Sequence, residues 1–254
     1  MKRKHYALLA RHNNFARADA TDIAFAYDFE GPWLARLEAK WGLREIAGEG
    51  DTQSRALNLL HWLCAHTRHG NPNPKSLPDG LQLHADSLLD WCFDQPGNDP
   101  NCKHLSIILS ECLLAVGIKA YALWCFPKAD KGDNHVVVQV WLPEESRWIM
   151  LDPSWAVYFT DEAGRILCAR QVREYLGSGA FLQLNPEGQR VAGWYIDYMA
   201  ADMYHFNRVL DTRYGVMREN SKRAQLCPVG YDPAKKRNPN DYATVYATFD
   251  SFWK

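Results

Sequence analysis

Residues 99–155 read DPNCKHLSIILSECLLAVGIKAYALWCFPKADKGDNHVVVQVWLPEESRWIMLDPSW, and the fold turns on how that stretch divides. Its first third has helical spacing. Leu105, Ile108, Leu109, Cys112, Leu113 and Val116 recur three and four residues apart and form one apolar stripe. Asp99 suits the N-cap, Pro100 suits the first helical position, where no N–H is needed, and Gly117 suits the exit. Cys102 then falls in the first turn. Unpaired N–H groups and the positive end of the helix dipole stabilise a thiolate there and lower its pKa.

The rest of the stretch reads as strands over 119–126, 135–142 and 147–152, rich in Val, Ile, Trp and Tyr. The last two flank the turn sequence PEES, residues 143–146. A hairpin with Leu142 opposite Arg147 makes paired residue numbers sum to 289. His135 then faces Ser154, and Asp152 lies two residues away on the same face. Diagonal neighbours in an antiparallel pair stand about 7–8 Å apart at the backbone, which His and Asp side chains can bridge.

These positions combine into one chemistry. A cysteine thiolate at a helix start can attack a carbonyl, and free N–H groups beside it can hold the oxyanion that forms. A histidine can take the thiol proton and return it to a leaving amine. A carboxylate fixes the imidazole tautomer and stabilises its charged form. A lone Cys or His is usually structural, and Asp152-Pro153 is also a turn former. Cys102 departs from that pattern because its setting, NCKH, is polar and unsuited to core packing.

The flanks add context. Residues 28–47 predict a helix carrying Trp33, Leu34, Leu37 and Trp41 on one face, and residues 52–68 a second with Leu57, Leu60, His61 and Cys64 inward. Residues 71–80 (NPNPKSLPDG) form a loop, and 85–93 a short helix starting near Asp86 or Ser87. Beyond Trp155 the sequence predicts a short strand near 166–168 and a helix ending at Gly177. The aromatic run 194–211 reads as a strand breaking into a helix, 242–249 as a terminal strand, and KKRNPN (235–240) as a solvated loop. With no repeat and no long linker, one domain over 1–254 is expected, with a core at about 86–160 between a helical part at 20–85 and a β-rich extension at 161–254.

Composition excludes several classes. Lys plus Arg is 29 against 30 for Asp plus Glu, so nothing electrostatic favours nucleic acid or an anionic membrane as partner. The basic start is followed by an apolar patch of only five residues (6–10), short of the roughly 7–15 of a secretory leader, and a cytoplasmic chain is expected. The seven cysteines are odd in number and form no CxxC pair, which speaks against a disulfide framework and a thiolate zinc site. His61, His66, His69 and His84 lack the spacing and the acidic partners of a metal site, so neither metal nor cofactor is expected. His104 is read as a surface residue. Trp194, Tyr195, Tyr198, Tyr204 and Phe206 are read as core ahead of a cleft wall. Gln95, Asn101, Trp62 and Trp91 are candidates for a second oxyanion donor.

The pieces NCKHLSIILSECLLAVGIKAYAL, DNHVVVQVWL and RWIMLDPSW together resemble the core of the transglutaminase-like superfamily. The resemblance implies an α+β, papain-like fold in which N-terminal helices and the helix carrying the nucleophile pack on an antiparallel sheet. It implies Cys102, His135 and Asp152 as the catalytic triad, acting on a peptide or glutamine-type amide of a peptide or protein through a thioester. Lys103 follows the cysteine where eukaryotic transglutaminases usually have tryptophan, and no acidic calcium loop is present. Hydrolysis is therefore expected ahead of protein crosslinking. The competing expectations are a silent fold that binds a peptide or partner and, more remotely, an acetyltransferase using the same three residues.

Overall fold

The computed structural model describes residues 2–70, 72, 78, 80–128, 134–212, 222–231 and 244–254. The expected loops at 71–80 and 235–240 lie largely or wholly outside them. In the N-terminal part, α1 (Lys2–Arg11) is followed by α2 (Pro32–Trp41), α3 (Leu43–Ala47), α4 (Thr52–His66) and α5 (Ala85–Asp94). The helix expected over 28–47 is broken because Gly42 adopts φ 62°, a left-handed conformation that ends α2 and starts α3 in a new direction. In α4 the inward face is Ala56, Leu59, Leu60 and Leu63, one step round from the predicted one, and Asp51 caps it by accepting from the Ser54 N–H at 2.7 Å. α5 starts at Ala85 with Asp86 in its first turn, as expected, and His84 is its cap.

The quoted stretch supplies α6 (Cys102–Ala115), β1 (Ala120–Phe126), β2 (His135–Leu142) and β3 (Arg147–Leu151). Every residue of α6 from His104 to Ala115 is buried, so the helix is enclosed on all sides rather than along one stripe. The remainder of the chain adds β4 (Phe159–Thr160), α7 (Ala169–Ser178), β5 (Gln183–Leu184), α8 (Ala192–Asp202), β6 (His205–Val209), β7 (Arg223–Leu226), β8 (Thr244–Tyr246) and α9 (Phe249–Phe252). The run 194–211 is thus helix first and strand second, the reverse of the expected order. The strand expected near 166–168 reduces to one bridge from Ile166 to Thr160.

The main sheet has strand order β3-β2-β1-β6-β7-β8, antiparallel except for the β7–β8 pair. Strand alternation divides the core into two layers. Ala120, Ala122, Val136, Val138 and Val140 face α2 to α6, while Tyr121, Leu123, Cys125 and Val137 face the layer of α7 and α8. With both faces covered, β1 and β2 read as continuous apolar runs. The architecture is α+β, as expected. No helix among the described residues is long and apolar enough to cross a membrane.

One further feature locks the two ends of the chain together. Arg208 of β6 is fully buried between the rings of Phe25 and Tyr121, 3.5 and 3.2 Å from their centroids. It donates to the Tyr27 hydroxyl and to the Phe252 carbonyl.

Candidate active site

Cys102 is the first residue of α6, at the edge where β2 begins and β3 ends. The cap is Asn101, whose Oδ1 accepts from the His104 N–H at 3.1 Å, and not Asp99. Asp99 is drawn away by Arg68, which donates to its Oδ2 from both Nε and Nη2, at 3.1 and 2.6 Å. Beside it the Gly70 N–H donates to the Pro100 carbonyl at 2.9 Å. A Cβ on Gly70 would stand 2.5 Å from that of Asp99, so only glycine permits this approach. The end of α4 is therefore pressed against the residues that lead into Cys102. On its other flank α6 is tied to β2 by Ser106 Oγ, which donates to the Val136 carbonyl at 2.9 Å.

The β2–β3 ladder keeps the expected register, from Leu142↔Arg147 to Val138↔Leu151. Beyond it β3 turns back on itself, and Asp152 pairs with Val157. The carboxylate reaches diagonally to His135, Oδ2 to Nε2, at 2.7 Å, with both side chains wholly buried. Asp152 also accepts from the Tyr195 hydroxyl (2.6 Å) and, through Oδ1, from the Ser154 N–H (2.8 Å). Burial works against its charge, but His135 and these donors prevail and lower its pKa. The Tyr195 phenol is driven well above its ordinary value by burial and by Asp152, so it stays a donor.

The His135 ring lies flat on Trp155, with centroids 5.5 Å apart at 25°, and meets Tyr198 edge-on at 5.2 Å. Its Nδ1 is buried without a hydrogen-bond partner of ordinary geometry, and the Cys102 thiol lies near enough for each group to shift the other. Burial lowers the His135 pKa, but Asp152 and then Cys102 outweigh it and raise it to about 10. Burial raises the Cys102 pKa, but hydrogen bonds from His135 and His69 outweigh it and bring it down to about 7. Burial pushes Cys64 and Cys92 up to about 12. Cys112, Cys125 and Cys168 move upward for the same reason. The pair is thus poised as thiolate and imidazolium near neutral pH.

Cys102 opens into a cavity of about 400 Å³. Its lining combines the polar side chains of His69, Asn101, Lys103 and Asn134 with the rings of Trp155, Trp194 and Tyr198. His135 is wholly buried behind this space and packs on the rings of Trp155 and Tyr198, which line it. The arrangement can ionise a thiol, present it to a bound carbonyl and return a proton to a leaving group.

Several expectations change here. His104 is 2% exposed, packed edge-on against Trp91, and burial depresses its pKa to about 4; it is not a surface residue. Of the candidate oxyanion donors only Asn101 reaches the cavity. Trp62 packs on Trp41 and His66, Trp91 on His104, and Gln95 is exposed at the end of α5. Among the described residues no three His, Cys, Asp or Glu side chains stand close enough to hold a metal ion. Of the aromatic run, Trp194 and Tyr198 form a cleft wall and Tyr195 holds Asp152. Tyr204 and Phe206 are core residues. Residue spacing gives no signal for Tyr195, or for His69 as a neighbour of Cys102, because both arrive from other elements.

Residues 42–153 match the transglutaminase-like superfamily. The match takes in α3 through Asp152, less than half of the chain, and includes all three residues of the Cys102–His135–Asp152 cluster. No curated protein matches the chain. Among solved structures, one from Cytophaga hutchinsonii described as a candidate cysteine protease is 14% identical, with a TM-score of 0.36 over 62% of this chain and 54% of its own. The periplasmic domain of TgpA from Pseudomonas aeruginosa, bound to ethylmercury, is 21% identical, with a TM-score of 0.36 over 51% of this chain and 46% of its own. The chain thus spans about half the length of these structures. Within the matched residues α6 packs on β1 and β2.

Proposed function

We propose that this chain is a cysteine-dependent enzyme that hydrolyses a peptide or glutamine-type amide, with Cys102, His135 and Asp152 as its catalytic triad. The observation that carries the reading is the wholly buried His135–Asp152 contact at 2.7 Å, set beside the one cysteine that opens α6 and faces a cavity. The Cys102 thiolate attacks the carbonyl carbon, and the carbonyl electrons move to oxygen, where the N–H groups at the start of α6 receive them. His135 gives its Nδ1 proton to the departing amine as the C–N bond breaks and a thioester forms on Cys102. Water then loses a proton to His135, attacks the thioester and releases the acid and the thiolate. Asp152 keeps its charge throughout and holds the imidazole in one orientation.

The test is incubation with a peptide and glutamine-amide library, read by intact mass. An acyl adduct on Cys102, absent from Cys102→Ala, is expected, together with turnover and with Cys102 as the cysteine fastest to react with a fluorescent iodoacetamide. Turnover unchanged in Cys102→Ala, or uniform labelling of all accessible cysteines, overturns the proposal.

A further inference from the structure

We propose that His69 is a catalytic residue of this site, donating a hydrogen bond first to the Cys102 thiolate and then to the oxyanion of the tetrahedral intermediate. The inference rests on the acyl-transfer reading of Cys102 and adds the second donor that such an intermediate requires beside the Cys102 N–H.

His69 lies beyond α4, on no regular element, yet its position is fixed from both sides. Thr67 Oγ1 donates to the Leu63 carbonyl at 2.7 Å, Arg68 grips Asp99, and the Gly70 N–H holds Pro100 at a separation only glycine allows. The residues before and after His69 are thereby bound to the two residues that precede the Asn101 cap. The imidazole shares the cavity with Cys102 and packs on Trp155 at 4.8 Å, and Trp155 also packs on His135 at 5.5 Å. One indole thus spaces two histidines around one sulfur. His69 also contributes to the low pKa of Cys102, as a hydrogen-bond partner second to His135.

Of the other candidates, Trp62, Trp91 and Gln95 sit outside the cavity, and Asn101 lines it with its Oδ1 accepting from the His104 N–H. The requirement is only an N–H aimed at the sulfur and at the space beside it, which one imidazole nitrogen supplies. When the thiolate becomes a thioether carbon–sulfur bond and the carbonyl oxygen gains charge, the same N–H transfers its bond from sulfur to oxygen without moving the ring from Trp155.

Two reagents separate this role from a structural one. Iodoacetamide alkylates the thiolate by displacement and develops no oxyanion. A peptide aldehyde, or the amide substrate itself, must form a tetrahedral oxyanion. The variants are His69→Phe, which keeps a ring for Trp155 but has no donor, and His69→Gln, which keeps an N–H. In His69→Phe, acylation by the amide and affinity for the aldehyde are expected to fall about 10²–10³-fold. Alkylation, compared at full ionisation of the thiol, should fall less than about threefold, and the thermal midpoint should hold. In His69→Gln a large part of the lost acylation should return. The His69 proposal is overturned if His69→Phe acylates at the wild-type rate. It is equally overturned if all reactions fall in parallel in both variants. Absence of any acyl adduct or aldehyde affinity in the wild-type chain overturns the Cys102 reading and this proposal with it, whereas normal wild-type chemistry with an indifferent His69 removes this proposal alone.

Discussion

Replacing Asp152 by Asn tests the electrostatics of the site most directly, because shape is kept while the charge and one acceptor oxygen are removed. Burial by itself lowers the pKa of His135, and Asp152 is the first of the groups that reverse it, to about 10 from 6.5. That difference corresponds to roughly 5 kcal/mol in favour of the imidazolium, at about 1.36 kcal/mol per pKa unit. Without the carboxylate His135 should be neutral at pH 7, and Cys102 loses the charge of the first of its hydrogen-bonding partners. Burial then dominates the thiol, whose apparent pKa should rise from about 7 to its ordinary value of 9.0 or beyond. At pH 7 the thiolate fraction would fall roughly 50-fold, and the alkylation rate by less than that, because a more basic thiolate is the stronger nucleophile. The assay is iodoacetamide alkylation of Cys102 across pH 5–10, followed by mass spectrometry. Stability gives a second readout. His135 has a folded pKa above its unfolded 6.5, so its contribution is complete below about pH 6.5 and is lost as pH rises through about 10. The wild-type chain should lose more stability across that window than Asp152→Asn, in which only the other buried groups still contribute a loss. An unchanged alkylation pKa in Asp152→Asn would refute the account of how Cys102 is ionised.

Two further outcomes follow from buried charge elsewhere. Glu111 of α6 is wholly buried, accepts from the Ala85 N–H at 2.6 Å and is pushed by burial from 4.5 up to about 8. Its contribution is complete below about pH 4.5 and lost as pH rises through 8, so Glu111→Gln should exceed the wild type at pH 9 by up to about 5 kcal/mol in chemical denaturation; equal stability at that pH would count against it. Arg208→Lys should destabilise the chain by about 3–5 kcal/mol, because an ammonium neither stacks between Phe25 and Tyr121 nor reaches Tyr27 and Phe252 together. A thermal midpoint within a degree of wild type would remove that reading.

What the sequence made legible was local. The β2–β3 register follows from period-two alternation on either side of PEES, and the Cys102 position from the helical repeat that begins just after it. The cap was misassigned because Asp99 is taken by Arg68, 31 residues away, and nothing near Asp99 announces that partner. His104 was misjudged by its polar neighbours, since α5 covers the first turn of α6 and buries it against Trp91. The reversal in 194–211 has a similar cause. Tyr195 and Met199 of α8 face the core while Trp194 and Tyr198 face the cavity, so both sides are apolar and helical periodicity is erased. Tyr195 reaches Asp152 across 43 residues and His69 reaches Cys102 from beyond α4, distances at which spacing carries no signal.

The enclosure of α6 bears on how such a site changes over evolutionary time. Its buried side chains interlock with helices on one flank and the sheet on another, so any rotation that moved Cys102 would disturb many contacts at once. The position of Cys102 is therefore insulated from drift. Trp194 is 45% exposed and rests on α8 across the cavity, where substitution disturbs little beyond the cavity wall itself. Change in what the cavity accepts is thus channelled into the aromatic wall, while Cys102 stays where the central helix holds it.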